Sequence, residues 1–89
     1  MVARARDAVV QTQFLQDLSY FVSTDRKLAM RLLDLMNAIL RDPFTGIGKP
    51  EPLKQLGADI WSRRLNDQHR VVYLVTHDQI HFLQARYHY

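Results

Sequence analysis

Arg86-Tyr87-His88-Tyr89 closes this chain with four groups that can bind phosphate or move protons. Arginine meets a phosphate with a planar fork of donors, and histidine exchanges a proton near neutral pH. Side chains of this kind suit the gripping or cutting of nucleic acid. A second unusual segment is Lys49-Pro50-Glu51-Pro52, which holds the only glutamate of the sequence; every other acid is aspartate. Lys49 and Glu51 each precede a proline, which disfavours the helical region and predicts extended backbone at both. Glu51 would then stand on a stiff, polyproline-like arm. The alternative is a solvated loop carboxylate that balances Lys49 and Lys54. In Trp61-Ser62-Arg63-Arg64, strand alternation sends Trp61 and Arg63 to one face and Ser62 and Arg64 to the other. Trp61 is expected in the core, with one arginine covering it and another reaching the open face. His69-Arg70 opens the next basic segment, and His77 and His81 are expected as ordinary surface residues.

These groups need elements to hold them. Ala8-Val9-Val10 is short and β-branched and predicts a first strand. Phe14, Leu15, Leu18, Phe21 and Val22 recur at helical spacing, predicting a helix that stops near Ser23-Thr24. Asp25 suits the N-cap of a second helix, whose apolar stripe runs through Leu28, Ala29, Leu32, Leu33, Met36, Ile39 and Leu40. Asp42-Pro43 ends it. All three prolines and two of the three glycines fall between Pro43 and Pro52, predicting a long ordered loop. Beyond it, 60–65, 70–76 and 79 to about 87 read as strands joined by turns at Asn66-Asp67-Gln68 and His77-Asp78. Two helices and an antiparallel meander give an α+β domain with both helices on one sheet face, one domain over 1–89.

Composition narrows the chemistry. At 89 residues and 47% hydrophobic, a modest core needs no external staple. There is no cysteine, which suits a reducing cytoplasm and excludes disulfides and thiolate sites. The histidines and carboxylates lack metal-ligand spacing of the HExxH kind, so no metal or other cofactor is expected. No apolar run approaches the roughly 20 residues of a membrane helix, and no apolar region follows the N-terminal arginines as in a secretory signal. The net charge is +3, a slight bias toward an anionic partner.

Five runs resemble a known family: Asp42-Pro43-Phe44, Gly46 to Lys54, Trp61-Ser62-Arg63-Arg64, His69-Arg70-Val71-Val72-Tyr73 and Ala85 to Tyr89. In order and spacing they resemble the Txe/YoeB toxins of the wider RelE group of bacterial toxin–antitoxin systems. The resemblance is continuous from about Thr24 to the last residue. It implies a compact fold like that of microbial RNases and a ribosome-dependent endoribonuclease that cuts mRNA in the A site and inhibits translation. It further implies Glu51 as general base, Arg70 as the group steadying the phosphate, His88 as general acid and Tyr89 as a helper. Lys49, Lys54 and Arg64 would hold RNA phosphates.

That assignment is chemically coherent. RNA carries its own nucleophile, the 2′-OH, so cleavage needs a base, a cation for the developing phosphoryl charge and an acid for the leaving 5′ oxygen. Glutamate, arginine and histidine supply one each. One geometric question stays open. A two-residue His77-Asp78 loop places Arg70 on the sheet face of Tyr87 and Tyr89, whereas a bulge or a longer loop places it with His88. The resemblance also implies an antitoxin of the YefM/Phd type, whose disordered acidic segment folds onto the toxin, as well as homodimerisation and contact with operator DNA through the antitoxin complex. Two other readings keep the fold and drop the reaction: a toxin that inhibits DNA gyrase by binding, and an inactive RNA-binding domain.

Overall fold

Residues 6–86 are described in the computed structural model. In chain order the elements are β1 (Asp7–Val10), α1 (Thr12–Thr24), α2 (Arg26–Arg41), β2 (Glu51–Pro52), β3 (Ile60–Arg64), β4 (Arg70–Val75) and β5 (Gln79–Gln84). The helices form where the apolar spacing predicts them, burying Phe14 and Phe21 from α1 and Ala29, Leu32, Leu35 and Ile39 from α2. Asp25 serves both. Its N–H donates to the Phe21 carbonyl (2.7 Å) and its carboxylate accepts the Leu28 N–H (3.2 Å), capping α2. α2 stops at Asp42, whose extended backbone is what a following proline demands.

The strands form one sheet in the order β1-β5-β4-β3-β2. From β2 to β5 every pairing is antiparallel, but β1 lies parallel to β5. The expected antiparallel sheet is therefore a mixed one. No hairpin constrains β1; it runs straight into α1 through Gln11, so its direction follows from where α1 must lie, over β5.

Both helices cover the face that carries Val71, Tyr73, Val75, Ile80 and Phe82, which join the helix residues in one core. Phe14 packs on Phe82 with ring centroids 5.3 Å apart. Phe14, Phe21 and Phe82 are almost wholly buried, and burial of such a side chain stabilises by about 1.5–3 kcal/mol each. The opposite face carries Ser62, Arg64, Arg70, Val72 and Leu74 and lies away from the helices.

The turn at His77-Asp78 closes as expected, with Thr76 N–H donating to Gln79 O (2.9 Å). Val75 pairs with Ile80, Leu74 with His81 and Tyr73 with Phe82, but Val72 pairs with Gln84. The extra residue, Leu83, makes a bulge that puts Gln84 on the face of Arg70. β5 ends at Gln84, short of the expected 87, because the Ala85 N–H donates to the carboxylate of Asp17 and leaves the ladder.

Candidate active site

The 42–50 loop is held from beneath by a buried arginine. Arg63 lies on the core face of β3 and is fully buried. Its Nη2 donates to the carbonyls of Asp42 and Thr45 (the latter at 2.9 Å), its Nη1 to Ile47 O (3.2 Å) and its Nε to the Tyr73 hydroxyl (3.2 Å). Tyr73 in turn donates to Pro43 O at 2.7 Å. A buried guanidinium is tolerable only when its donors are met, and loop carbonyls meet them. The Arg63 guanidinium is thus committed to the loop, and the Trp61 ring, partly buried against the core, meets Phe44 at 5.2 Å. At the loop entrance Asp42 accepts the Thr45 hydroxyl (2.6 Å) and the Phe44 N–H (3.0 Å). These bonds, the hydroxyl first, hold its carboxyl below the ordinary value. Burial pushes the Tyr73 phenol up, opposed by the Arg63 charge.

The loop then turns sharply onto β3. Gly48 O accepts the Arg64 N–H at 2.7 Å, and three residues later Glu51 is already paired with Ser62. The reversal is compressed into Gly48 (φ 82°) and Lys49 (φ 52°). Lys49 is thus left-handed rather than extended, because the Gly48 anchor overrides the preference set by Pro50. Such a conformation in a non-glycine residue costs about 1–3 kcal/mol and persists where surrounding contacts impose it. Glu51 sits on the two-residue edge strand β2, not on a free loop; Pro52 is tolerated there because an edge strand has unpaired donors on one side.

Directly opposed residues in an antiparallel pair share a face. Glu51 opposes Ser62, Ser62 opposes Val72, and Arg64 opposes Arg70. All of them point away from the helices. There the Arg70 guanidinium forms an ion pair with the Glu51 carboxylate, and its Nε donates to Ser62 Oγ at 3.4 Å. The Glu51 side chain is 53% exposed and that of Arg70 21%. A pair so open to water adds about 0–1 kcal/mol to stability, so both charges stay available to a ligand. Arg64 is exposed beside Arg70, and Lys49 and Lys54 are exposed on the two sides of β2. Of the expected site residues the fold brings Glu51 and Arg70 into contact with Arg64 alongside; His88 and Tyr89 lie outside the described residues. Among the described residues no three His, Cys, Asp or Glu side chains group to hold a metal ion, and no helix is long and apolar enough to cross a membrane.

Sequence reasoning missed three groups that organise this region. Arg63 and Tyr73 bracket the loop, and Ser62, fully buried, lies between Glu51 and Arg70. It also missed Asp17, an acid in the stripe Phe14-Asp17-Phe21 and only 2% exposed. An ionisable residue in the buried stripe of a helix was the available signal.

The model of a family described as the YoeB-like toxin of bacterial type II toxin–antitoxin systems matches residues 10–89. The chain belongs to that family. Toxin YoeB of Mycobacterium bovis is 49% identical over 74 residues, covering 83% of this chain and 87% of that protein. The solved YoeB/ParE toxin from Agrobacterium tumefaciens superposes with a TM-score of 0.87 at 36% identity, covering 93% of this chain and 99% of that one. The YoeB of Staphylococcus aureus, solved as a dimer, gives 0.86 at 35% identity over 96% of this chain and 99% of that one. Its complex with YefM gives 0.81 at 35% identity over 94% and 98%. The likeness noted on the sequence runs therefore holds at the level of family and fold.

Proposed function

We propose that this toxin is an endoribonuclease that cuts mRNA in the ribosomal A site by acid–base catalysis. The observation that carries this reading is the contact between Glu51 and Arg70 on the open face. A carboxylate and a guanidinium side by side there match a base beside a phosphate-binding cation. An incoming phosphodiester competes with Glu51 for the Arg70 fork, and as it does so it frees the carboxylate to take the 2′ proton. The 2′ oxygen attacks phosphorus, Arg70 meets the charge growing on the phosphoryl oxygens, and the P–O5′ bond breaks as His88 gives its proton to the leaving oxygen. The products are a 2′,3′-cyclic phosphate and a 5′-hydroxyl end. Tyr89 assists at the reacting end, and Lys49, Lys54 and Arg64 track the flanking phosphates. No metal or cofactor enters the scheme.

The staphylococcal complex supports a YefM-like antitoxin as partner, its acidic segment drawn to the same basic face, and the staphylococcal dimer supports self-association. Contact with operator DNA would come only through the antitoxin complex, and the setting is the cytoplasm. Primer extension on programmed ribosomes tests the reaction with wild type beside Glu51→Gln, Arg70→Ala and His88→Ala. The expected result is a stop within the A-site codon that each substitution removes. Cleavage surviving in all three refutes the mechanism. Loss of DNA supercoiling with intact mRNA would replace it with gyrase inhibition.

A further inference from the structure

We propose that Asp17 and Tyr20 of α1 are positioning residues that clamp the end of β5 and so deliver His88 to the reacting phosphate. The proposal rests on the assignment of His88 as general acid and deepens it. Two contacts carry it. Asp17 Oδ2 accepts the Ala85 N–H at 2.9 Å, while its Oδ1 is held by the Gln13 side-chain amide at 2.9 Å. The next residue, Arg86, places its guanidinium 3.4 Å from the centroid of the Tyr20 ring. Asp17 and Tyr20 are three apart, so they lie on adjoining turns of one helix side.

Packing alone gives no reason for an acid at position 17. Phe14 and Phe21 flank it in the same stripe, and an apolar side chain would fill that space without the cost of desolvating a carboxylate. What the acid supplies is an acceptor for an amide the sheet has let go. β5 leaves its ladder after Gln84, and at Ala85 and Arg86 it is α1 that takes hold of the chain. His88 lies only three positions beyond Ala85, a reach of at most about 10–11 Å. A slip of the anchor would therefore displace the acid by a large part of its range. Asp17 also lies on the core side of the sheet, whereas Glu51 and Arg70 occupy the other side. Losing the clamp should impair the acid and spare the base and the cation.

A leaving group that needs no proton separates the two effects. Single-turnover cleavage is measured on ribosomes carrying either all-oxygen mRNA or mRNA with sulfur in place of the 5′-bridging oxygen at the scissile phosphate. Asp17→Leu should slow the oxygen substrate about 30- to 100-fold with little change in half-saturating concentration. It should cut the sulfur substrate within about threefold of wild type, because a thiolate leaves unprotonated. Tyr20 is exposed, meets the core only through the edge of the Phe21 ring, and tests the same clamp from the surface: Tyr20→Leu should reproduce the oxygen-specific defect and Tyr20→Phe, which keeps the ring, should restore the rate. Equal slowing of both substrates, or wild-type rates in both Asp17→Leu and Tyr20→Leu, overturns the proposal. If His88→Ala itself slows both substrates equally, the general-acid assignment has failed, and the clamp proposal falls with it.

Discussion

Replacing Arg63 by methionine removes four donated hydrogen bonds at once, to the carbonyls of Asp42, Thr45 and Ile47 and to the Tyr73 hydroxyl. A bond from a charged donor contributes about 1.5–3 kcal/mol net, so the gross loss is roughly 6–12 kcal/mol. Two effects reduce it. Asp42, Thr45 and Ile47 are exposed residues, so the loop can turn the freed carbonyls toward water. Losing the guanidinium also removes the penalty of desolvating it. The expected net loss is about 3 kcal/mol, the lower end for removing one member of a buried charged contact. For a domain of this length, total stability is about 4–13 kcal/mol. The variant should therefore melt about 12–24 °C lower. Trp61, the only tryptophan of the sequence, rests on Phe44 of the same loop, so its fluorescence in urea follows unfolding where the change is made. Arg63→Lys keeps the charge but not the fork, and should recover less than half the loss. The urea slope should not change. Tyr73→Phe and Arg63→Met together should cost less than their sum, since they share one bond. An Arg63→Met chain within about 1 kcal/mol of wild type would refute the bracket as the loop's support.

Glu51→Gln should separate activity from stability. Its ion pair is half open to water, so the urea midpoint should shift by no more than about 0.5 kcal/mol equivalent, while mRNA cleavage falls about 100- to 10,000-fold; a strongly destabilised variant would make Glu51 a structural residue. Burial raises the Tyr73 pKa above the ordinary 10.0, so the folded chain keeps the phenol neutral after the unfolded chain begins to ionise. That stabilising contribution is full below about pH 10 and is lost as pH rises through the folded pKa. In Tyr73→Phe this part of the alkaline decline should be missing from urea midpoints taken between about pH 8 and pH 11. Gly48→Ala puts a Cβ 3.0 Å from the Arg64 carbonyl at φ 82°. It should cost about 1–3 kcal/mol in thermal melts and lower cleavage by moving the Glu51 arm.

Both helices, the cap at Asp25, the stop at Asp42 and the three hairpin strands were legible in the sequence. Their signals are local: apolar spacing, a capping acid, a proline, and turn residues between β-branched runs. Glu51 and Arg70 were legible as a pair through their likeness to a family, and Arg64 through strand alternation, which also set the face of Ser62 but not its place between Glu51 and Arg70. Lys49 misled because a pre-proline preference is a weak local bias, and a 2.7 Å bond from Arg64 to Gly48 outweighs it. Arg63 misled for a related reason. Nothing near it in sequence reveals that carbonyls 16 to 21 residues upstream will converge on it.

Residue type and short-range periodicity act over a few positions, so the chemical groups this toxin carries and the elements that hold them can be read from the chain alone. Which groups meet depends on the folded arrangement. The bulge at Leu83 sets which β5 residues share a face with Arg70, and register of that kind is a property of two strands together. The parallel placing of β1, the bracket of Arg63 and the hold of Asp17 on Ala85 join residues as many as 72 positions apart. Such contacts exist only once the core has brought those positions together.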